Sequence, residues 1–202
     1  MQGRFLVFEG PDGAGKSSQL ATLAARVAAL GREVVRLVEP THGPIGSEIR
    51  QRAQHGPPLS AQEEFDLFVA DRRVNVREAI EPALARGAVV IQDRYFYSTA
   101  AYQAARDELG LSPDDVLAAH AWAPRPDRVL LLDVPVEVGL ARVAARGAGD
   151  AFEREDRQQR VRASFLRMAE TIPRFRRIDA TQSPDQVAAE VWEHVRELLE
   201  AP

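Results

Sequence analysis

The octet Gly10-Pro11-Asp12-Gly13-Ala14-Gly15-Lys16-Ser17 fits G-x-x-x-x-G-K-[ST] in full, and no other feature constrains the fold as tightly. Its glycines let successive backbone N–H groups turn inward around a phosphate. The lysine reaches the β/γ-phosphates and the serine hydroxyl can hold Mg²⁺. Such a loop needs a buried strand before it and a helix after it. Arg4-Phe5-Leu6-Val7-Phe8-Glu9 supplies the strand, and residues 17–30 carry apolar side chains at helical spacing. The helix N-terminus, with Ser18 in its first turn, adds its partial positive charge to the anion site. Lys16 is the only lysine, against twenty-five arginines. Where arginine has taken every other basic position, a compact ammonium at 16 is a requirement, because a planar guanidinium would not do the same work. The loop predicts a site for a nucleoside triphosphate, on a segment expected to face solvent.

The 202 residues suit one α/β domain, 1–202. A net charge of −4 with mixed signs gives no argument for binding nucleic acid. The absence of cysteine excludes disulfides and thiolate metal sites. His42, His55, His120 and His194 are scattered without ligand spacing and read as surface or locally hydrogen-bonded residues. No leader precedes the first strand, and no apolar run approaches the roughly 18 residues needed to span a membrane. A cytoplasmic protein without a membrane partner is the default expectation.

Residues 33–38 read as a second strand ended by Glu39-Pro40, and a short helix follows over 45–54. Ser60-Ala61-Gln62-Glu63 is a capping box opening a long helix towards Arg86, with Pro82 placed to bend or interrupt it. Residues 88–92 form a third strand that delivers Asp93 and Arg94, and a helix is expected over 98–108. Ser112-Pro113-Asp114-Asp115 caps another. Residues 128–134 and 174–179 are the last strands, with a helix after Pro135, another to Glu170, and one capped by Ser183-Pro184-Asp185. Strands alternating with helices predict a three-layer α/β fold of the P-loop NTPase type, a five-stranded parallel sheet flanked by helices. Ligands in such sheets bind beyond the carboxyl ends of the strands. Glu9, Glu39, Asp93, Asp133 and Asp179 gather on that rim.

With these elements in place, the chain resembles the thymidylate kinase family, a branch of the nucleoside monophosphate kinases. The resemblance rests on Phe8-Glu9-Gly10 through Gln19, on Glu39-Pro40, on Leu67-Phe68-Val69-Ala70-Asp71-Arg72, on Asp93-Arg94-Tyr95 with Ser98-Thr99-Ala100-Ala101-Tyr102-Gln103, and on residues 142–153. It implies phosphoryl transfer from ATP to dTMP with Mg²⁺, and a homodimer packed through helix faces near 62–80 and 98–108.

The resemblance implies a role for each matching residue. Gly10 to Ser18 hold ATP, Lys16 acting on the transferred phosphoryl. Ser17 is a direct Mg²⁺ ligand and Asp93 holds the ion through water, the plain alternative being a strand-end salt bridge to Arg94. Arg94 bridges the acceptor phosphate and the transferring group, a role suited to a planar guanidinium. Asp12 contacts the sugar 3′-hydroxyl or the metal's water shell, or else caps the following helix. Phe68 and Arg72, four apart on one helix face, stack on and read the base, although without the resemblance Phe68 reads as core. Tyr102 lies beneath the sugar, Thr99 contacts the base, and Glu39, Pro40 and Arg50 complete the acceptor site. Arg73 reads as a solvated surface residue. Residues 142–155 resemble a lid, its glycines 147 and 149 allowing closure that excludes water. With no arginine in the loop, Arg146 is the first choice for the charge-stabilising arginine. Arg142 falls nearer the adenine, Arg154 stands in reserve, and Phe152 and Glu153 are structural. Ala180 lies in the turn against the adenine.

Two departures touch the acceptor side. Val38 stands where arginine is common, with Thr41-His42 after Glu39-Pro40 in place of a glycine pair, and Ala100 stands where glutamine is common. A related kinase with another deoxynucleoside monophosphate or nucleoside as acceptor therefore stays open. A non-catalytic nucleotide-binding module is the remaining alternative; the Asn-Lys-x-Asp element of a guanine-reading switch cannot be present, because it needs a second lysine.

Overall fold

The computed structural model describes residues 2–57, 59–103, 105, 110–145 and 152–200. Its strands are β1 (Arg4–Glu9), β2 (Val34–Val38), β3 (Val89–Asp93), β4 (Arg128–Asp133) and β5 (Phe175–Asp179). They form one sheet in the order β2-β3-β1-β4-β5, every pairing parallel. Phe8 and Val38 both lie opposite Asp93, so β2 and β3 end together, while Glu9 lies opposite Leu131 and Asp133 opposite Asp179, so β4 and β5 run two residues beyond β1.

A pleated strand sends alternate side chains to opposite faces. Phe5, Val7, Val90, Val129 and Leu131 point into one core, with Phe65, Val76, Ile80, Phe165 and Met168. Leu6, Phe8, Val89, Ile91, Leu130 and Leu132 point into the other. That second core is closed by Leu20, Leu23 and Val27 of α1 (Lys16–Ala29) and by Val187, Val191 and Val195 of α9 (Pro184–Glu200). Burial on both faces is why the central strands read as continuous apolar runs.

The remaining helices carry the site walls. Gly43 caps α2 (Pro44–His55), with proline at its start. Ser60 and Glu63 form the expected capping box of α3 (Ala61–Asn75). The long helix then widens into a π turn over Val76–Ile80 before α4 (Glu81–Ala85). Proline at 82 cannot donate to the carbonyl of residue 78 and would collide with it. The wider turn, in which the Glu81 N–H donates to the Val76 carbonyl, carries the chain past that conflict. α5 (Phe96–Gln103) starts two residues earlier than the sequence suggests. Ser112 and Asp115 box the start of α6 (Pro113–Ala119). α7 (Val136–Ala144) and α8 (Phe152–Thr171) follow β4. Asp133, at the end of β4, accepts from both Arg162 (2.7 Å) and Arg177 (2.8 Å), so this rim carboxylate ties α8 to the sheet and braces β4 against β5.

One expectation changes here. Ser98, Thr99, Ala100, Ala101 and Gln103 of α5 are buried within the chain, which leaves them no surface for a second subunit. Arg146 and the glycines at 147 and 149 lie outside the described residues, as do the side chains of Phe152, Glu153 and Arg154. Among the described residues no helix is long and apolar enough to cross a membrane.

Candidate active site

The phosphate-type loop runs from the end of β1 to the start of α1, wedged between β4 and α7. Gly10 has φ 139°, and a β-carbon there would meet the Leu132 carbonyl at 2.3 Å. Gly13 has φ 80° and the same collision, with the Gly139 carbonyl at 2.3 Å. Only glycine satisfies both the dihedral and the contact.

The Lys16 side chain corrects the expectation of a solvent-facing loop: it is 7% exposed. Its ammonium donates to the carbonyls of Gly10 (2.9 Å) and Pro11 (2.8 Å). Burial, helped by the charge of Arg94, brings its pKa down to about 8. The Ser17 hydroxyl donates to Asp93 Oδ2 at 2.7 Å. The other Asp93 oxygen is buried without a hydrogen-bond partner, so Asp93 does not spend itself on Arg94. A hydroxyl and a free carboxylate oxygen suit Mg²⁺, a hard cation that takes few protein ligands and keeps several waters. Among the described residues no cluster of three or more acidic or histidine side chains offers a rival metal site.

Arg94 follows Asp93 and sits at φ 66°, left-handed for a bulky residue. Such strain persists only where the surroundings enforce it. Its own N–H donates to the Phe8 carbonyl (3.0 Å), and its guanidinium donates to Ser98 Oγ (3.0 Å), Asp12 Oδ1 (2.5 Å) and Tyr102 Oη (3.4 Å). Beneath it Glu9, fully buried, accepts from the N–H of Tyr95 (2.8 Å) and of Ser98 (3.2 Å) and from the Ser98 hydroxyl (2.5 Å). Burial pushes the Glu9 carboxyl up to about 7, against the pull of Ser98 and Arg94. Burial would raise Asp12 too, but Arg94 and Lys16 together hold it below the usual carboxylate range. Asp12 caps no helix: Gly15 occupies the α1 N-cap without a side-chain bond.

Two cavities meet at Arg94. One of about 220 Å³ is lined by Asp12, Gly13, Lys16, Ser17, Asp93 and Arg94. The other, about 400 Å³, is lined by Glu39, Arg50, Phe68, Arg72, Thr99 and Tyr102 among others. Asp12, Glu39 and Arg94 border both. The sequence-predicted residues therefore separate into a polar pocket over the loop and a larger, mostly apolar pocket beside it.

In the larger pocket Phe68 is half-buried and faces the cavity, while Arg72 is almost wholly buried. Arg72 pairs with Glu39 through Nε (2.8 Å) and Nη2 (2.6 Å) and donates from Nη2 to Thr99 Oγ1 (3.0 Å). Asn75 donates to the second Glu39 oxygen at 3.0 Å. Arg50 is turned onto the carbonyls of Pro40 (2.6 Å) and Thr41 (2.5 Å), across a cis Glu39–Pro40 peptide. The unusual Thr41 has a mate: buried Asp71 accepts from its N–H (2.7 Å) and its hydroxyl (2.6 Å). Exposed Arg73 rests its guanidinium over the Trp122 ring at 4.3 Å. Arg142 donates to the carbonyls of Ala180 (3.0 Å) and Gly13 (3.4 Å), joining the β5 turn to the loop.

Sequence reasoning missed two residues. His120 is fully buried and locally hydrogen-bonded to the Val116 carbonyl, one of the two expected settings, but its contact with Arg72, Nε2 2.8 Å from Nη1, was not foreseen. Gln103 lines the larger cavity with a buried carbonyl oxygen that has no partner. Its place directly after Tyr102 was the available signal.

A model of the thymidylate kinase family matches residues 8–191, spanning both cavities. The chain belongs to the thymidylate kinase family. It is 48% identical to the thymidylate kinase of Xanthomonas campestris pv. campestris (strain B100) over 186 residues, covering 92% of this chain and 79% of that one. It is 39% identical to the thymidylate kinase of Desulfotalea psychrophila over 197 residues, covering 98% and 96%. Thr41 and Ala100, which depart from the commoner thymidylate kinase pattern, are accommodated within the fold: one is bound by Asp71, the other buried in the core.

Proposed function

We propose that this chain transfers the γ-phosphoryl group of ATP to the phosphate of dTMP, giving ADP and dTDP for dTTP synthesis. The observation that carries the reading is the meeting of the two cavities at Arg94. Phosphoryl transfer needs little covalent help. Two anions must be brought into line and the spreading charge neutralised.

The loop amides of residues 10–18 and Lys16 take the donor phosphates, with Arg142 and Ala180 beside the adenine. Ser17 and Asp93 would hold Mg²⁺, which would supply charge neutralisation at the phosphates. Arg94, fixed by its strained backbone and by Asp12, offers its fork where acceptor and donor phosphates meet. Phe68 stacks on the thymine, Arg72 with Thr99 reads its edge, and Tyr102 closes under the sugar. Glu39, Pro40 and Arg50 wall the acceptor side. Arg146 completes the charge on a lid over 142–155, and the 202 residues act as one kinase unit.

The protein works in the cytoplasm as a homodimer. Its partner face is the half-exposed row Leu67, Ala70 and Val74 on α3, spaced three and four apart. Coupled ADP release with Mg-ATP against dTMP, dUMP, UMP, dCMP, dGMP and thymidine tests the activity. Preference for dTMP is expected, and preference for another acceptor would overturn the specificity. Leu67→Asp should shift the protein to monomer in sedimentation, and an unshifted dimer would move the interface elsewhere.

A further inference from the structure

His120 stands at the end of α6, stacked on Phe96 (ring centroids 5.6 Å apart, 17° between planes) and edge-on to Phe65 (6.0 Å). Its Nδ1 lies 2.7 Å from the Val116 carbonyl, one turn back on the same helix. A carbonyl only accepts, so Nδ1 carries the proton. Its Nε2 lies 2.8 Å from Arg72 Nη1, and a guanidinium only donates, so Nε2 is the bare acceptor. The two neighbours together set one tautomer of a neutral ring. Burial, and then the Arg72 charge, keep it neutral by bringing its pKa down to about 4.

Arginine presents five N–H donors in a rigid fork. Glu39 takes one from Nε and one from Nη2, and Thr99 takes the other from Nη2. His120 takes one from Nη1. Among the described residues a single Nη1 N–H is left without a partner, for a ligand in the larger cavity, which Arg72 lines and His120 does not. The Tyr95 ring, 5.4 Å from the guanidinium carbon, flanks the group. A neutral acceptor at this position differs from a second carboxylate. It fixes the rotation of the fork without adding another anion to the Arg72–Glu39 pair, so the last donor keeps its cationic character for a base carbonyl.

We infer that His120 is a positioning residue for acceptor recognition, holding the Arg72 fork so that its one free N–H meets the pyrimidine carbonyl. The inference rests on the dTMP reading above. It also accounts for α6, since the Ser112–Asp115 capping box starts a helix that ends by delivering this imidazole.

The test uses the full chain with His120→Leu, His120→Gln and His120→Asn, with kcat and both KM values measured for dTMP and ATP. Glutamine reaches the Nε2 position with an acceptor oxygen, asparagine is too short, and leucine has no acceptor. The expected result is a KM for dTMP about tenfold or more higher in the Leu and Asn variants, the scale of a lost hydrogen bond to a charged group. KM for ATP should stay within about twofold, and glutamine should restore KM for dTMP to near the wild-type value. Unfolding temperatures and ATP binding identify any variant that fails to fold, and the Gln–Asn contrast then decides. Equal dTMP KM values for Gln and Asn, or parallel losses for both substrates without rescue by Gln, would overturn the inference. Wild type that turns over dTMP alongside indifferent variants sinks this inference alone, whereas wild type that ignores dTMP sinks the functional reading with it.

Discussion

Gly13 and Gly139 touch backbone to backbone: a β-carbon on Gly13 would sit 2.3 Å from the Gly139 carbonyl, and one on Gly139 would sit 2.6 Å from the Asp12 carbonyl. The loop and the first turn of α7 are thus pressed together with no room for a single methyl group on either side. The loop's shape is owed to a helix more than a hundred residues later as much as to its own glycines.

Gly139→Ala should therefore damage the site from outside it. The colliding atoms are backbone, which cannot swing aside, so α7 or the loop must shift. A cost of roughly 1–3 kcal/mol is expected, typical of overpacking. Urea unfolding measures it, with a raised KM for ATP alongside. A variant as stable as wild type with unchanged KM would show that the two segments are not pressed together.

Glu9 makes stability depend on pH in a definite direction. Its folded pKa, raised to about 7 from 4.5 by burial, means that the native state holds a proton the unfolded chain has lost. Stability from this group is fully present below about pH 4.5 and falls as pH rises towards 7. Glu9→Gln removes the charge and should flatten that part of the curve. Denaturation midpoints at pH 5 and pH 8, compared between the two proteins, check the sign. An equal pH 5-to-8 difference in both would refute it.

Lys16 controls activity on the alkaline side. Its ammonium, brought down to about 8 by burial, is charged at neutral pH and loses its proton soon above it. The free enzyme's pKa appears in kcat/KM for ATP, which should decline above about pH 8. A profile flat well beyond that point would remove the lysine from phosphate binding.

Arg142 and Arg146 should separate in kinetics. Arg142 is bonded to Ala180 and Gly13, so Arg142→Ala should raise KM for ATP. Arg146→Ala, if that side chain acts only on the transferring charge, should lower kcat by about 10³ with little change in KM. A loss confined to KM in the Arg146 variant would make it a binding residue.

What was legible in the sequence was what spacing encodes. The unbroken apolar run Phe5-Leu6-Val7-Phe8 marked a buried strand, Ser60 with Glu63 marked a helix start, and the glycine pattern marked the loop. Asp93 and Arg94 were placed because a strand must end where its apolar run ends. Contacts between distant segments left no such trace. Arg72 meets Glu39 across 33 positions and His120 across 48, and no period links them. The burial of Lys16 was missed because a loop is expected to face water, whereas this one curls its lysine onto its own carbonyls. α5 carries too many polar residues to look like core, yet Ser98 serves Glu9 and Arg94 while Thr99 serves Arg72.

The register of β3 against β1 has a consequence for misfolding. Val7 and Gln92 are partners in the same ladder that sets Phe8 opposite Asp93. Sliding β3 by one residue would send the side chains of each of its two buried faces into the opposite core and draw Asp93 away from Ser17 in the same movement. A mispaired chain therefore loses its packing and its catalytic geometry together. A well-packed but inactive form is not available by that route, and a cell that clears unstable chains would clear the inactive ones with them.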